Sequence, residues 1–196
     1  MHQRYDKLDY ERIRTALCAE KTEEGFKKRG EMFKFFDPNG NGFLSLAECD
    51  KGIRDVLNLP DLFDLKGVIM RAFMAAKDSV KGKSKPSGDY IERSEFRVFL
   101  CYLRQYFEYY EIFQVVNTDG DKYLEYDEFV AAIPTFEKWG VKVTDPEVTF
   151  DEIDEDKGGK IRFFEFCHWA IKNNMDIDTD DDFNDDCLKN LKQNLY

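Results

Sequence analysis

DPNGNGFLSLAE, running from Asp37 to Glu48, places an oxygen-bearing side chain at alternate positions and closes on an acid. With Asp37 as position 1, Asn39 and Asn41 stand at positions 3 and 5, Gly42 at 6, Phe43 at 7, Ser45 at 9 and Glu48 at 12. This is the ligand spacing of a twelve-residue calcium loop. Asp37, Asn39 and Asn41 offer side-chain oxygens, Gly42 supplies a positive φ, and Phe43 offers its carbonyl. Ser45 can hold a bridging water, and Glu48 can chelate with both oxygens. Calcium takes about six to eight oxygens at ~2.3–2.6 Å in flexible geometry, so hard donors at this spacing suit it. The plain alternative is a surface turn rich in Asn and Gly. The acid at position 12 and the Phe-rich flanks favour the calcium loop. Only Asp37 and Glu48 are anionic, which lowers the expected affinity.

Working outward, the same grammar recurs. NTDGDKYLEYDE (Asn117 to Glu128) places Asn117, Asp119, Asp121, Tyr123 and Glu128 at positions 1, 3, 5, 7 and 12. It is rich in acid, with Glu125 at position 9, but Asn117 replaces the usual Asp and Lys122 stands where Gly belongs. A lysine in left-handed geometry costs roughly 1 kcal/mol, and its charge opposes the metal. DEDKGGKIRFFE (Asp154 to Glu165) keeps Asp154, Asp156, Gly159 and Glu165, with Lys160 at position 7 offering its carbonyl. Gly158 at position 5 removes one ligand, a gap that water can fill, and Arg162 brings a cation to position 9. Leu44, Leu124 and Ile161 stand at position 8 of the three loops. They are expected to form short antiparallel bridges between neighbouring loops.

A fourth segment, from Asp78 to Glu95, is too long for the standard loop and has no regular ligand series. Tyr90, Ile91 and Glu92 can still supply a bridge strand, so it is expected to be the non-binding partner of the first loop. Its Lys77, Lys81, Lys83 and Lys85 form a basic patch, either a solvated loop or a contact for an acidic partner such as a tubulin tail.

The flanks are helical. Phe26, Phe33 and Phe36 are expected on one face before the first loop. Leu65, Val68, Ile69, Ala72, Phe73 and Ala76 repeat at amphipathic spacing. Residues 95 to 116 form one long helix or two. Asp145-Pro146 starts a helix, Gly140 ends the one before it, and Pro134 must kink or interrupt that one. An amphipathic helix near Asp9 to Ala19 precedes the repeats. The fold class is therefore all-α, with two lobes of paired helix–loop–helix units joined by short β-bridges. The expected divisions are an N-terminal extension at 1–21, loop pairs at 22–104 and 105–175, and an acidic tail at 176–196.

Composition agrees. Among 196 residues, 40 Asp+Glu outweigh 29 Lys+Arg, and the net charge of −11 argues against a nucleic-acid partner. Eighteen Phe exclude a disordered acidic chain. Seven acids between Asp176 and Asp186 supply most of the net charge as a solvated tail. No run approaches the ~20 apolar residues of a membrane span. The start of the chain is too charged for a secretory signal. Five scattered cysteines suggest reduced thiols in an intracellular, cytoplasmic protein.

The stretches ERIRTALCAEKTEEGFKKRGEMFKFFDPNGNG, FLCYLRQYFE and FVAAIPTFEKWGVKVTDPE resemble the calflagins, the flagellar calcium-binding proteins of kinetoplastid protists, over roughly residues 10 to 180. The Trp139-Gly140 turn and the Asp145-Pro146 helix start are more specific than the calcium loops themselves. The resemblance implies a four-EF-hand fold with a degenerate second loop, located at the cilium or flagellum and its membrane. It also implies binding through the C-terminal pair, here the pair with altered loops. Family members carry an N-terminal Gly and Cys for lipidation. A chain beginning Met1-His2 cannot be N-myristoylated, so membrane association by that route is not expected.

The expected function is calcium-ion binding, as a sensor or buffer that changes its binding of a protein partner, axonemal or cytoskeletal, on calcium loading. Drawing Glu48 toward the ion would move the outgoing helix and open a Phe-lined groove. The alternative is a structural component of the ciliary axoneme or cytoskeleton that no longer depends on calcium. A coelenterazine-type photoprotein shares the length and the degenerate second loop. His168-Trp169 is a faint match, but two histidines cannot build the required sets. No catalytic constellation is visible, so no enzyme is expected.

Overall fold

The computed structural model describes residues 12–13, 15–59, 62, 64–77, 79 and 89–175. The expected acidic tail, the start of the chain and Lys81, Lys83 and Lys85 lie outside the described residues. In chain order the elements are α1 (Glu23–Phe36), β1 (Phe43–Leu44), α2 (Leu46–Asp55), α3 (Lys66–Lys77), β2 (Ile91–Glu92) and α4 (Arg93–Val116). They continue with β3 (Tyr123–Leu124), α5 (Tyr126–Lys138), α6 (Pro146–Ile153), β4 (Ile161–Arg162) and α7 (Phe163–Lys172). The chain divides into two compact units, ending at Phe107 and beginning at Glu108. That division falls within α4, which is one continuous helix rather than two.

Each unit holds one antiparallel bridge. Leu44 pairs with Ile91 and Phe43 with Glu92 in the first. Leu124 pairs with Ile161 and Tyr123 with Arg162 in the second. The position-8 residues are fully buried, as is Ile91. The bridge therefore does two jobs: it satisfies backbone groups at the loop tips and sinks one apolar side chain from each loop into the core.

Local chemistry sets the helix ends. Thr22 caps α1, its hydroxyl accepting from the Gly25 N–H at 3.0 Å. Asp145 caps α6 by accepting from Val148 N–H at 3.1 Å, with Pro146 at the first helical position. Gly140, at φ +83°, follows α5, and α5 runs through Pro134 without interruption.

Aromatic side chains make the core of each unit. In the first, Phe33 and Phe36 meet Phe96 edge-on at 5.3 and 5.2 Å. Phe26 is instead 66% exposed. The buried stripe of α1 runs through Gly25, Arg29, Phe33 and Phe36, and Phe26 lies at its margin. At the upper end of that stripe Arg29 is buried, donating to the carbonyls of Cys18 (2.8 Å) and Glu20 (2.6 Å). Arg97 donates to Ala19 O at 3.0 Å. Ile13, Leu17 and Ala19 are buried, so the described part of the N-terminal extension contributes to this core. Cys18 is buried here too. In the second unit Trp169 meets Phe136 at 5.1 Å and Phe129 at 5.9 Å, and Phe113 meets Phe166 at 5.6 Å.

Gly52 marks the closest approach in the first unit. A β-carbon there would stand 2.3 Å from the Phe36 ring. Gly52→Ala gains about 1 kcal/mol of helix propensity. It nevertheless forces the ring aside, at about 1–3 kcal/mol. A net fall in the thermal midpoint is expected by calorimetry in chelator; a rise would show that α1 and α2 separate freely.

Candidate metal centre

The three regular loops share a backbone frame with two left-handed residues each. At position 6 these are Gly42 (φ +82°), Lys122 (+73°) and Gly159 (+78°). At position 4 they are Gly40 (+68°), Gly120 (+73°) and Lys157 (+57°). Reasoning from the motif flagged only position 6. The glycines at position 4 of two loops were the available signal for the other.

The frame turns each loop around its first residue. In the first loop Asp37 Oδ1 accepts from Asn41 N–H at 3.2 Å and Oδ2 from Gly42 N–H at 2.9 Å. In the fourth, Asp154 Oδ1 accepts from Gly158 N–H at 3.0 Å and Oδ2 from Gly159 N–H at 2.8 Å. One carboxylate thus gathers the two N–H groups of the loop's tightest turn, an arrangement only an acid can make with both oxygens.

The loops close on their twelfth residue. The N–H of position 9 donates to the position-12 carboxylate in each: Ser45 to Glu48 (2.9 Å), Glu125 to Glu128 (3.2 Å) and Arg162 to Glu165 (2.7 Å). In the fourth loop, carboxylate oxygens of Asp154, Asp156 and Glu165 come within 4.8 Å of one another. Asp154 is only 4% exposed and Glu165 9%. Three anionic oxygen donors, two of them buried, repel one another unless a cation stands among them. Arg162 meets this in part, its guanidinium paired with Asp156.

The first loop brings Asp37, Asn39, Asn41 and Glu48 together differently. Asn39 Nδ2 donates to Glu48 Oε1 at 2.6 Å, while Asn39 Oδ1 accepts from Asn41 N–H at 2.9 Å. Asn41 Oδ1 accepts from Phe43 N–H at 2.8 Å. The amide at position 3 thus engages one oxygen of the acid at position 12 by a hydrogen bond.

Similarity to known proteins runs along the whole of this architecture. The family model described as FCaBP EF-hand domain matches residues 13–103, and the model for an EF-hand domain pair matches 106–171. The flagellar calcium-binding protein TB-17 of Trypanosoma brucei brucei is 38% identical over 90% of this chain and 76% of its own length. The flagellar calcium-binding protein of Trypanosoma cruzi is 37% identical over 88% of this chain and 83% of its own. The chain belongs to the flagellar calcium-binding protein family. Among solved structures, a homolog of programmed cell death 6 protein from Leishmania major Friedlin is 17% identical, with a TM-score of 0.39, over 73% of this chain and 74% of that one.

The ion of these EF-hands is Ca2+, and the fourth loop fits it by donor chemistry: carboxylates only, gathered at one point on a shared frame. The third EF-hand loop is arranged otherwise. Asn117, 1% exposed, accepts from Gly120 N–H at 2.9 Å through Oδ1, and its Nδ2 finds no acceptor among the described residues. An amide at position 1 presents a donor where the sister loops present a second acceptor. Glu128 Oε1 is turned to Thr118, accepting from its N–H (2.7 Å) and hydroxyl (2.8 Å), and from Asp119 N–H at 3.3 Å. Asp119 and Asp121 accept from the N–H groups of Asp121 (3.0 Å) and Tyr123 (2.8 Å).

The second loop keeps the closing bond although its ligand series is gone. Glu92 N–H donates to Glu95 Oε2 at 3.0 Å, and Glu95 is fully buried. Lys77 of the basic patch pairs with Asp89 at 2.5 Å. No helix among the described residues is long and apolar enough to cross a membrane.

Burial pushes the Glu128 carboxyl upward, but the donors from Thr118, Glu125 and Asp119 outweigh it and hold it below the ordinary range of 4.5. A lowered folded-state value adds stability above the unfolded value, and that stability is lost as pH falls through the lowered one. In chelator, carboxyl-carbon NMR is expected to show Glu128 titrating below the ordinary glutamate value of 4.5. Thr118→Val is expected to raise it and to flatten the stability profile below pH ~4.5. An unmoved titration would show that the backbone donors alone set it.

Proposed function

We propose that this protein is a flagellar calcium sensor whose fourth loop is its tightest site, with ligands Asp154, Asp156, the Lys160 carbonyl and Glu165. The convergence of three carboxylates within 4.8 Å on the EF-hand frame carries this reading. The first loop, with Asp37, Asn39, Asn41, the Phe43 carbonyl and Glu48, is the second and weaker site. It has the better turn glycines but two acids, and Asn39 must rotate to release Glu48.

Bound calcium supplies charge that draws the position-12 glutamate inward. Glu165 is the linking residue. Its Oε1 accepts from Asp156 N–H at 3.2 Å and its Oε2 from Arg162 N–H at 2.7 Å, so it ties the loop's beginning to the first turn of α7. Glu165 also lines a cavity of about 350 Å³ together with Val141, Ile153, His168 and Trp169. A shift of Glu165 therefore moves the wall of a part-apolar cleft, where a protein partner of the axoneme or cytoskeleton is expected to bind. A flagellar location is supported by the relatives' names.

A calcium-independent structural role is the second reading. It is favoured by the protein cations already seated on ligand-position carboxylates, Arg162 on Asp156 and Lys160 on Asp121. Axonemes washed in excess chelator separate the two: release of the protein supports a sensor, and retention supports a scaffold.

Calcium calorimetry with millimolar magnesium present is expected to show a tightest site that weakens more than about tenfold in Glu165→Gln. A second, weaker site is expected to vanish in Glu48→Gln. In a Trp139→Phe background, Trp169 emission is expected to change as the tightest site fills. Absence of binding heat, or a tightest site indifferent to Glu165→Gln, would overturn the assignment.

A further inference from the structure

Lys160 stands at position 7 of the fourth loop, where a calcium loop uses only the main-chain carbonyl. Its side chain leaves that loop. Nζ lies 2.6 Å from Glu125 Oε1 and 3.3 Å from Asp121 Oδ2, and 5.5 Å above the ring of Tyr123. Those three residues are positions 9, 5 and 7 of the third loop. The ammonium thus stands against two acids at ligand positions of the third loop.

The backbone keeps it there. Lys160 precedes Ile161, which pairs with Leu124, so the bridge register fixes the root of the lysine beside the third loop. Departure of the side chain would leave its charge tethered nearby. Arg162, two residues on, turns the other way, to Asp156 of its own loop. The third loop is also prepared for a weaker cation than calcium. Asn117 makes position 1 neutral, and Glu128 Oε1 accepts from the Thr118 hydroxyl, a side-chain donor, as well as from backbone N–H groups. Two chain-borne charges, Lys122 at position 6 and Lys160, then oppose a divalent ion.

We propose that Lys160 is the resident cation of the third loop: its ammonium holds Asp121 and Glu125 in place of calcium and excludes that loop from the binding set. The fourth loop is then the calcium site of the C-terminal unit, which is the part of this inference that rests on the proposed function. A loop pair bound in this way keeps its bridge and closed geometry at one position while responding to calcium at the other.

The test is calcium calorimetry on the full chain, comparing Lys160→Met, Lys160→Arg and each combined with Glu128→Gln. Methionine keeps the stem over Tyr123 and removes the charge; arginine keeps the charge. Lys160→Met is expected to gain a site, or to bind at least about fivefold more tightly at one, and to lose that gain when Glu128→Gln is added. Lys160→Arg, which keeps the charge, is expected to show no such gain at the third loop. An unchanged Lys160→Met isotherm, or a gain that survives Glu128→Gln, overturns the inference. So does a Glu128-dependent site of equal affinity in the parent. If the parent binds no calcium at all, the sensor reading fails separately, and the gain or absence of a Glu128-dependent site in Lys160→Met still decides the role of Lys160. Should Lys160→Met not fold, the lysine Nζ resonances of the parent decide it. A Lys160 signal unmoved from chelator to saturating calcium supports a resident cation, and one released on calcium addition overturns it.

Discussion

Among the described residues, each of the four EF-hand loops ends on one carboxylate that closes it. The acid at the twelfth position accepts the N–H of the ninth, three residues before it, and so ends the loop and begins the outgoing helix in a single bond. Such a bond satisfies one of the orphan donors at a helix start. Because it needs only Glu and a backbone N–H, it survives the loss of every other ligand. The second loop proves the point: its ligand series is gone, yet Glu95 remains buried and bonded to Glu92 N–H, and Ile91 still pairs with Leu44. The fold is thus separable from metal binding at each loop, which allows loops with different ionic fates in one chain.

The protein groups that meet the ligand-position acids differ from loop to loop. In the first loop a neutral amide donates to the terminal acid. In the fourth, three carboxylates meet, and the Arg162 guanidinium pairs with Asp156. In the third, an ammonium from the neighbouring loop reaches two acids at once. These pairs are part-exposed and individually weak. Their influence lies in geometry: each decides which oxygens are free to turn toward an incoming ion and which must first be released.

Much of this was legible from residue types and spacing, and the reasons are local. The twelve-residue periodicity names the loop frame, because ligand geometry and the left-handed sixth position leave few alternatives; even Lys122 takes the positive φ that its position demands. The position-8 residues foretold the bridges, since an apolar residue between acids has only the partner loop to pack against. The apolar spacing of α3 and the Asp145-Pro146 start of α6 are likewise local rules, and they hold. The same reasoning put Phe26 on one face with Phe33 and Phe36, whereas its place at the stripe's margin leaves it exposed, and it left open whether α4 was one helix or two.

What the chain's order alone determined, then, is the frame: four loops, their pairing, their helices and the oxygens available to a metal. Only the tertiary structure decided how those oxygens are used. A side chain's direction depends on partners far along the chain, as when Lys160 crosses from position 7 of one loop to Asp121, 39 residues away, in another. Arg162, with the same sign of charge two residues on, folds back onto its own loop instead. Spacing places a residue at a loop position, but long, flexible charged side chains settle where neighbouring fields and packing hold them, and that information exists only once the two loops are brought together.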